Sequence, residues 1–96
     1  MSLYNQGDDL YAEGKYREAY GYFLQSYTIN VDVTDSMNYL GCCELTLGNY
    51  EAALDWFNRL SKLEPTWERP ITNIGRVYLM QGRFTEAYDQ FKKAIK

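Results

Sequence analysis

The sequence has 96 residues, of which 46% are hydrophobic, 17% aromatic and 24% charged, a composition that predicts one folded domain and excludes a disordered tail. The net charge of −3 argues against nucleic acid as a partner, because binding to phosphates needs clustered Lys and Arg. No stretch reaches the roughly 18 apolar residues of a membrane span, and the start lacks the features of a signal peptide. We therefore expect a cytoplasmic protein with no membrane partner.

Apolar residues recur at three- and four-residue spacing in six stretches, which predicts six amphipathic helices arranged in pairs. In chain order, the pairs span residues 3–13 and 16–30, then 35–47 and 50–63, then 68–80 and 84–95. Pro65 separates the second pair from the third. Pro70 falls in the first turn of its helix, where a missing N–H removes no helical hydrogen bond. The predicted fold class is all-α.

A 34-residue repeat relates the three pairs. The recurring positions are Gly7, Gly41 and Gly75; Gly14, Gly48 and Gly82; Tyr16, Tyr50 and Phe84; Ala19, Ala53 and Ala87; and Phe23, Phe57 and Phe91. We expect the second set of glycines to end a helix with positive φ. The first set lies within helices, where it allows close approach, and the Phe side chains fill the space between one pair and the next. A single pair cannot bury both faces alone, so stacking of neighbours stabilises the fold.

The second pair resembles the tetratricopeptide repeat, through Leu40-Gly41, Gly48-Asn49-Tyr50, Ala53, Phe57 and Pro65. The resemblance covers practically the whole chain and implies a right-handed α-α superhelix, or solenoid, of three helix-turn-helix units. We expect a single domain over residues 1–96, with repeats at about 1–33, 34–67 and 68–96. The first unit departs from the pattern, with Gln6 where Leu40 stands and Val31 where Pro65 stands.

The resemblance also implies that the first helix of each pair lines a concave face, which binds a peptide or a helix of a partner protein. On this chain the inner positions are Tyr4, Asn5, Asp8, Tyr11 and Ala12; Asn38, Tyr39, Cys42 and Leu45; and Arg69, Thr72, Asn73, Arg76 and Met80. Tyr and Arg often anchor interfaces, and Asn can pair with the backbone of an extended ligand. An ordinary solvated set of helix faces is the alternative to a binding groove.

The charge distribution bears on the kind of ligand. Residues 1–48 carry two bases and seven acids, a net charge of −5, whereas residues 49–96 carry eight bases and six acids, a net charge of +2. A groove that is acidic at one end, aromatic in the middle and basic at the other suits a longer peptide or helix laid across it.

One branch of the family holds the C-terminal carboxylate of chaperones with Lys, Asn, Asn, Lys and Arg. The corresponding residues here are Tyr4, Asp8, Tyr39, Arg69 and Asn73. Arg69 alone keeps a suitable charge, and Asp8 would repel a carboxylate. Binding of chaperone tails is therefore disfavoured.

Glu44 stands where Leu10 and Tyr78 stand in the other units, so its carboxylate is partly desolvated unless a partner satisfies it. We expect a hydrogen bond to a nearby Tyr or Arg, or a side chain that reaches the surface. A role in specificity is the alternative.

Catalysis is not expected, because the chain has no His and Cys42 therefore lacks an imidazole to lower the pKa of its thiol. Asp8 and Asp9 diverge on their helix and do not face a common substrate. Cys42 and Cys43 are adjacent on a helix, where a disulfide between them is geometrically unfavourable, and they cannot supply the four ligands of a structural zinc site. We predict free thiols, no metal and no cofactor.

The last predicted helix carries Tyr88, Phe91, Ala94 and Ile95 at the spacing that packs against a following unit in the earlier pairs. Without such a unit these side chains would face water, so we predict a homo-oligomer through Tyr88, Phe91 and Ile95, by end-to-end stacking or by two-fold pairing of last helices.

The functional alternatives are a peptide-binding module, a self-associating structural module, and a fragment of a larger multidomain regulator.

Overall fold

The computed structural model describes residues 2–95, which form six helices and no strand. The helices follow one another as antiparallel pairs, with bounds α1 Leu3–Ala12, α2 Tyr16–Thr28, α3 Val33–Thr46, α4 Tyr50–Leu63, α5 Glu68–Met80 and α6 Phe84–Ala94. Each helix packs on the next in the chain, and α3 also contacts α5. The elongated dimensions, 40 × 25 × 18 Å, are those of stacked pairs. The predicted all-α helical repeat is confirmed.

Each pair reverses direction at a glycine in the left-handed region. Gly48 has φ of 85° just after α3, and the equivalent Gly14 and Gly82 have φ of 80° and 75°. The N–H of Gly48 donates to the carbonyl of Leu45, and the N–H of Asn49 donates to that of Glu44. These two bonds satisfy carbonyls at the end of α3 that have no partner within the helix. The three turns therefore have the same geometry, as the repeat predicts.

The mid-helix glycines provide room for an aromatic ring within each pair. A methyl group added at Gly75 would lie 2.6 Å from the Phe91 ring, and one added at Gly7 would lie 2.9 Å from the Phe23 ring. The Phe23 ring also reaches the second unit, where it stacks on Tyr39 with centroids 4.5 Å apart. The prediction that the Phe side chains fill the space between pairs is therefore incomplete, because each ring also packs on the glycine of its own unit.

Two apolar clusters form the core, and each joins two units. The first contains Phe23, Met37, Leu40, Cys43, Trp56 and Leu60, and the second contains Leu45, Ala53, Leu54, Phe57, Ile74 and Val77. Burying such side chains contributes roughly 1.5–3 kcal/mol each. Because both clusters lie across pairs, the units depend on one another for stability.

The junction between the first two units differs from the prediction. Helix α3 begins at Val33, two residues before the expected start, and follows Asp32 with φ of 49°. Asn30 has φ of 63°, so two residues near Val31 lie in the left-handed region. Asn and Asp tolerate this region better than most side chains. Ser26 supports the turn, because its Oγ donates to the carbonyl of Val31 at 2.8 Å.

Candidate functional site

Tyr39 is the centre of an aromatic cluster where α1 meets α3. Its ring contacts Tyr4 and Tyr11 edge to face, with centroids 5.8 Å and 5.1 Å away, and stacks on Phe23. Edge-to-face and stacked aromatic pairs contribute roughly 0.5–1.5 kcal/mol beyond burial of area. Three inner residues predicted from the sequence, Tyr4, Tyr11 and Tyr39, are therefore brought into one cluster.

The hydroxyl of Tyr39 donates to Oδ1 of Asp8 at 2.6 Å. Burial raises the pKa of Tyr39 well above its ordinary value, and the hydrogen bond to the Asp8 carboxylate raises it further. Burial also raises the pKa of Tyr4, with added contributions from the charges of Asp35 and Asp8. The α1–α3 part of the inner face is therefore aromatic and negative.

A chain of polar side chains joins α3 to α5. The Asn73 amide donates from Nδ2 to Oδ1 of Asn38 at 2.7 Å and lies 3.7 Å from Sγ of Cys42. Nη1 of Arg76 donates to Oδ1 of Asn73 at 3.1 Å. Asn38 and Asn73 are buried beneath the surface of α3 and α5, whereas Arg76 is exposed. Asn73 therefore accepts one hydrogen bond from the exposed guanidinium of Arg76.

The α5 part of the inner face is basic. Burial raises the pKa of the Cys42 thiol to about 11, while the nearby guanidinium groups of Arg76 and Arg69 oppose this rise. Arg69 is exposed and stands over the Trp67 ring at 5.6 Å. The inner helices thus carry carboxylates at one end and guanidinium groups at the other.

The remaining predicted groove residues lie at different depths. Leu45 and Cys42 are buried within or beside the apolar core. Asn5 is exposed on α1, and its backbone N–H donates to Oγ of Ser2 at 3.0 Å, which caps the helix. The predicted residues are therefore a mixture of exposed groups and buried groups.

A cleft that the sequence reasoning missed opens between the C-terminal ends of α3 and α5. Its volume is about 380 Å³, and Thr46, Tyr50 and Leu79 line it together with Leu45, Arg76 and Met80. The repeat contains a signal for it, because Leu45 and Leu79 are equivalent positions 34 residues apart. The sequence does not give the distance between α3 and α5, so the cleft between Leu45 and Leu79 could not be predicted from it.

Glu44 is half-buried and accepts a hydrogen bond of 3.2 Å from Nδ2 of Asn49. The partner is thus the Asn in the following turn, whereas the sequence suggested a Tyr or an Arg. The bond lies at the surface, so the Glu44 side chain reaches solvent as the second expectation has it.

The predicted self-association residues differ in accessibility. Tyr88 is 63% exposed and Ile95 is 83% exposed, with Phe84 beside them at 67%. Phe91 is half-buried because its ring packs on Gly75. Tyr88 on α6 and Ile95, directly after its end, are therefore exposed apolar side chains, whereas Phe91 packs on α5.

Two further properties concern the described part of the chain. Residues 2–95 contain no cluster of His, Cys, Asp and Glu able to hold a metal ion. None of the helices in that range has the length and apolar character needed to cross a bilayer.

The six helices define an all-α helical-repeat protein, in which α1, α3 and α5 carry an aromatic cluster and a chain of polar side chains. Tetratricopeptide repeat profiles match residues 4–66 and residues 69–96. The chain belongs to the tetratricopeptide repeat family.

Solved structures with the same arrangement come from several proteins. SycD, a type III secretion translocator chaperone of Yersinia enterocolitica, aligns with a TM-score of 0.90 at 22% identity, over 96% of this chain and 70% of its own. PcrH from Pseudomonas aeruginosa aligns with a TM-score of 0.88 at 25% identity, over 96% of this chain and 70% of its own. The second tetratricopeptide repeat domain of Spaghetti (RPAP3), bound to the HSP90 peptide SRMEEVD, aligns with a TM-score of 0.86 at 17% identity. The alignment covers 97% of this chain and 81% of that domain's chain.

Proposed function

We propose that this protein is an interaction module whose concave face, formed by α1, α3 and α5, binds an extended or helical segment of a partner protein. The observation that carries the proposal is the arrangement of the Tyr4–Tyr39–Tyr11 cluster and Arg76 on α1, α3 and α5, which the buried Asn38–Asn73 hydrogen bond links. Tyr and Arg are side chains that commonly anchor a partner. A ligand several residues long would contact all three inner helices.

The similar structures support a protein ligand for this fold. PcrH has been solved in complex with the chaperone binding region of PopB, and SycD with a peptide of the translocator YopD. We propose a ligand of the same general kind, a segment of a partner protein, and a cytoplasmic location for the complex.

The proposed ligand differs from the acidic C-terminal tails held by one branch of the family. At the corresponding positions this chain has Tyr4, Asp8 and Tyr39. The Tyr39 hydroxyl already occupies one oxygen of Asp8, and the remaining negative charge repels a carboxylate placed there. The α1–α3 end of the face therefore suits an apolar or basic part of a ligand.

A peptide library displayed on phage and selected on the whole chain tests the proposal. Titration of an enriched peptide into ¹⁵N-labelled protein should shift amide signals on α1, α3 and α5. The double variant Arg69→Glu, Arg76→Glu should weaken binding by at least about tenfold, the effect of losing roughly 1.4 kcal/mol of contact.

The matched control is Arg59→Glu, because Arg59 is also an exposed arginine but lies on α4, paired with Asp55. This variant should bind enriched peptides as the parent chain does. Shifts confined to α2, α4 and α6, or equal affinity of both variants, would overturn the assignment of the concave face.

Self-association through α6 is a second proposed function, favoured by the exposure of Tyr88 and Ile95. The outer face of α1 is a poor match for these apolar side chains, since Asp9 and Glu13 stand where Cys43 and Leu47 stand in the second unit. We therefore propose two-fold pairing of α6 with α6 of a second copy in preference to end-to-end stacking.

A further inference from the structure

The connections between consecutive units lie along one edge of the solenoid. Because successive helices are antiparallel, the α2–α3 and α4–α5 connections face this edge, and the glycine turns face the opposite one. The two connections rest on shared contacts. The ring centroids of Tyr27 on α2 and Trp56 on α4 are 5.3 Å apart, and Trp67 packs against the apolar cluster that contains Trp56. We call residues 29–35 and 62–69 the junction edge.

The junction edge exposes apolar side chains at equivalent positions of two units. Ile29 and Leu63 are equivalent residues, 34 positions apart, and each is 59% exposed. Val31 is 46% exposed, and Trp67 is half-buried. Apolar side chains grouped on one surface and surrounded by polar residues are typical of an interaction site, whereas single scattered ones are not.

Carboxylates surround these apolar side chains. The junction edge contains four acids and two bases, a net charge of −2. The acids are Asp32, Asp35, Glu64 and Glu68, all exposed. Within residues 2–95 none of these four forms a salt bridge, and the base Arg69 stands over the Trp67 ring at 5.6 Å. The carboxylates are therefore available to cations of another molecule.

Helix stability accounts for two of these acids and leaves the other two unexplained. Asp35 and Glu68 lie in the first turns of α3 and α5, where the helix dipole favours a negative charge. Glu64 directly follows α4, where the dipole disfavours a negative charge. Asp32 precedes α3, but its side chain makes no capping hydrogen bond and its backbone is left-handed. Asp32 and Glu64 are thus the acids that a role in binding would explain.

The negative charge decides between two kinds of partner for this apolar surface. Membrane surfaces that attract proteins are commonly anionic, so the four carboxylates would oppose contact with them. A basic amphipathic helix has Lys or Arg on both sides of an apolar stripe, which is the complement of apolar side chains surrounded by carboxylates. The charge therefore favours a basic helix over a lipid surface.

We infer that the junction edge binds a basic amphipathic helix of a partner protein, whose apolar stripe covers Ile29, Val31 and Leu63 and whose Lys or Arg side chains pair with Asp32 and Glu64. Packed helices stand roughly 8–10 Å apart, so equivalent residues of two units are separated by about two turns of a helix. A helix laid along the edge would therefore meet Ile29 and Leu63 with residues about seven positions apart. The junction edge is separate from the concave face, so neither proposal depends on the other.

The probe is a blocked peptide made of two copies of Leu-Lys-Lys-Leu-Leu-Lys-Lys, which places Leu on one face of a helix and Lys on the others. Two matched peptides carry Glu in place of every Lys, or Ser in place of every Leu. Titration of the Leu-Lys peptide into the ¹⁵N-labelled whole chain should shift the amides of residues 29–35 and 62–69. It should bind at least about tenfold more tightly than either matched peptide, since each of those lacks one of the two contacts.

A double variant tests the apolar contact. Ile29→Ser with Leu63→Ser should weaken binding of the Leu-Lys peptide at least about tenfold, because the apolar area buried in the complex is lost. The matched control is Leu79→Ser with Met80→Ser. Both residues are exposed and apolar but lie at the end of α5, on the opposite edge, so this variant should bind as the parent chain does.

A second double variant tests the charge contact. Asp32→Asn with Glu64→Gln should weaken binding and reduce its dependence on salt, since two carboxylates no longer pair with Lys. Asn at position 32 also tolerates the left-handed region, so the connection keeps its conformation. The matched control is Glu18→Gln with Glu51→Gln, which changes the net charge equally at exposed residues beside the glycine turns and should leave binding unchanged.

Equal binding of the Leu-Lys and Leu-Glu peptides would overturn the inference, and so would equal effects of either double variant and its control. Amide shifts on α1 and the later turns of α3 and α5, with none at the junction edge, overturn it while leaving the proposed function in place. Sedimentation of the chain with vesicles of phosphatidylcholine and phosphatidylserine, lost in the Ile29→Ser, Leu63→Ser variant, would show a lipid surface as the partner and also overturn it.

Discussion

The hydroxyl of Tyr39 on α3 donates to the carboxylate of Asp8 on α1 over 2.6 Å, which ties the second unit to the first across the inner face. A hydrogen bond to a charged group contributes about 1.5–3 kcal/mol in a partly buried setting. Tyr39→Phe keeps the ring contacts and removes the bond. We expect its free energy of unfolding in urea to fall by about 1–3 kcal/mol.

A double-mutant cycle with Asp8→Asn provides the control for this bond. If the hydroxyl and the carboxylate act on each other, the loss in the double variant should be smaller than the sum of the single losses. Strict additivity would show that Tyr39 stabilises the junction through its ring alone.

Two glycines on neighbouring helices should respond in opposite directions to the same substitution. A Cβ at Gly41 would clash with the Phe57 ring, whereas a Cβ at Gly21 meets no atom within 4 Å. Gly41→Ala should therefore destabilise the protein by about 1–3 kcal/mol through overpacking. Gly21→Ala should stabilise it by about 0.5–1 kcal/mol, because alanine is the better helix former. Thermal unfolding measures whether the melting temperature falls in Gly41→Ala and rises in Gly21→Ala. A Gly41→Ala protein as stable as the parent chain would contradict the packing of Phe57 on Gly41.

Ser36 and Ser26 form a second matched pair, both fully buried. Oγ of Ser36 has no hydrogen-bond partner within residues 2–95, while Oγ of Ser26 donates to the carbonyl of Val31. A buried hydroxyl without a partner is unfavourable by about 1–3 kcal/mol. Ser36→Ala should thus raise the melting temperature, and Ser26→Ala should lower it. The same direction of change in both variants would show that burial, and not hydrogen bonding, governs these sites.

Alkaline pH should destabilise the fold through its buried thiols. Burial raises the pKa of Cys42 to about 11 and that of Cys43 to about 12, from an ordinary value of 9.0. The folded state therefore keeps protons that the unfolded state loses, so the stabilisation is full below pH 9.0 and is lost as pH rises through about 11. Urea unfolding at several pH values in this range measures how steeply the free energy of unfolding falls with pH. Cys43→Ala should make that fall less steep.

Burial of the two thiols should also limit their reactivity. At neutral pH, alkylation of either thiol should be slow until urea is added.

Self-association should depend on Tyr88 and Ile95. Light scattering over a concentration series should show a rise in mass for the parent chain. Tyr88→Glu and Ile95→Glu should each return the protein to a monomer, because both side chains are exposed. Phe91→Glu is a poorer test, since its ring packs on Gly75 and the variant would lose stability as well. A parent chain that stays monomeric at every concentration contradicts the pairing of α6.

The repeat predicted the number, order and bounds of the helices to within about two residues, because a fixed period relates strong local signals in each unit. It did not predict the contact of Phe91 with Gly75, because the Phe side chains were expected between pairs and the ring packs instead on the glycine of its own unit. The bond between Asn73 and Asn38 could not be read from the sequence, as it depends on the distance between α3 and α5. The early start of α3 was missed for a local reason: Asp32 adopts a left-handed conformation that propensity does not favour.

The pair Asn30 and Asp32 also indicates where the solenoid opens. Both lie in the left-handed region at the junction between the first and second units, a conformation that Asn and Asp tolerate but that glycine adopts at lower cost. In a stack whose units contact only their neighbours, separation starts at the least stable junction. Amide hydrogens of α1 and α2 should therefore exchange with solvent faster than those of α4. A partner laid across α1 and α3 would bind only the closed form, so its binding would slow this exchange in proportion to its concentration.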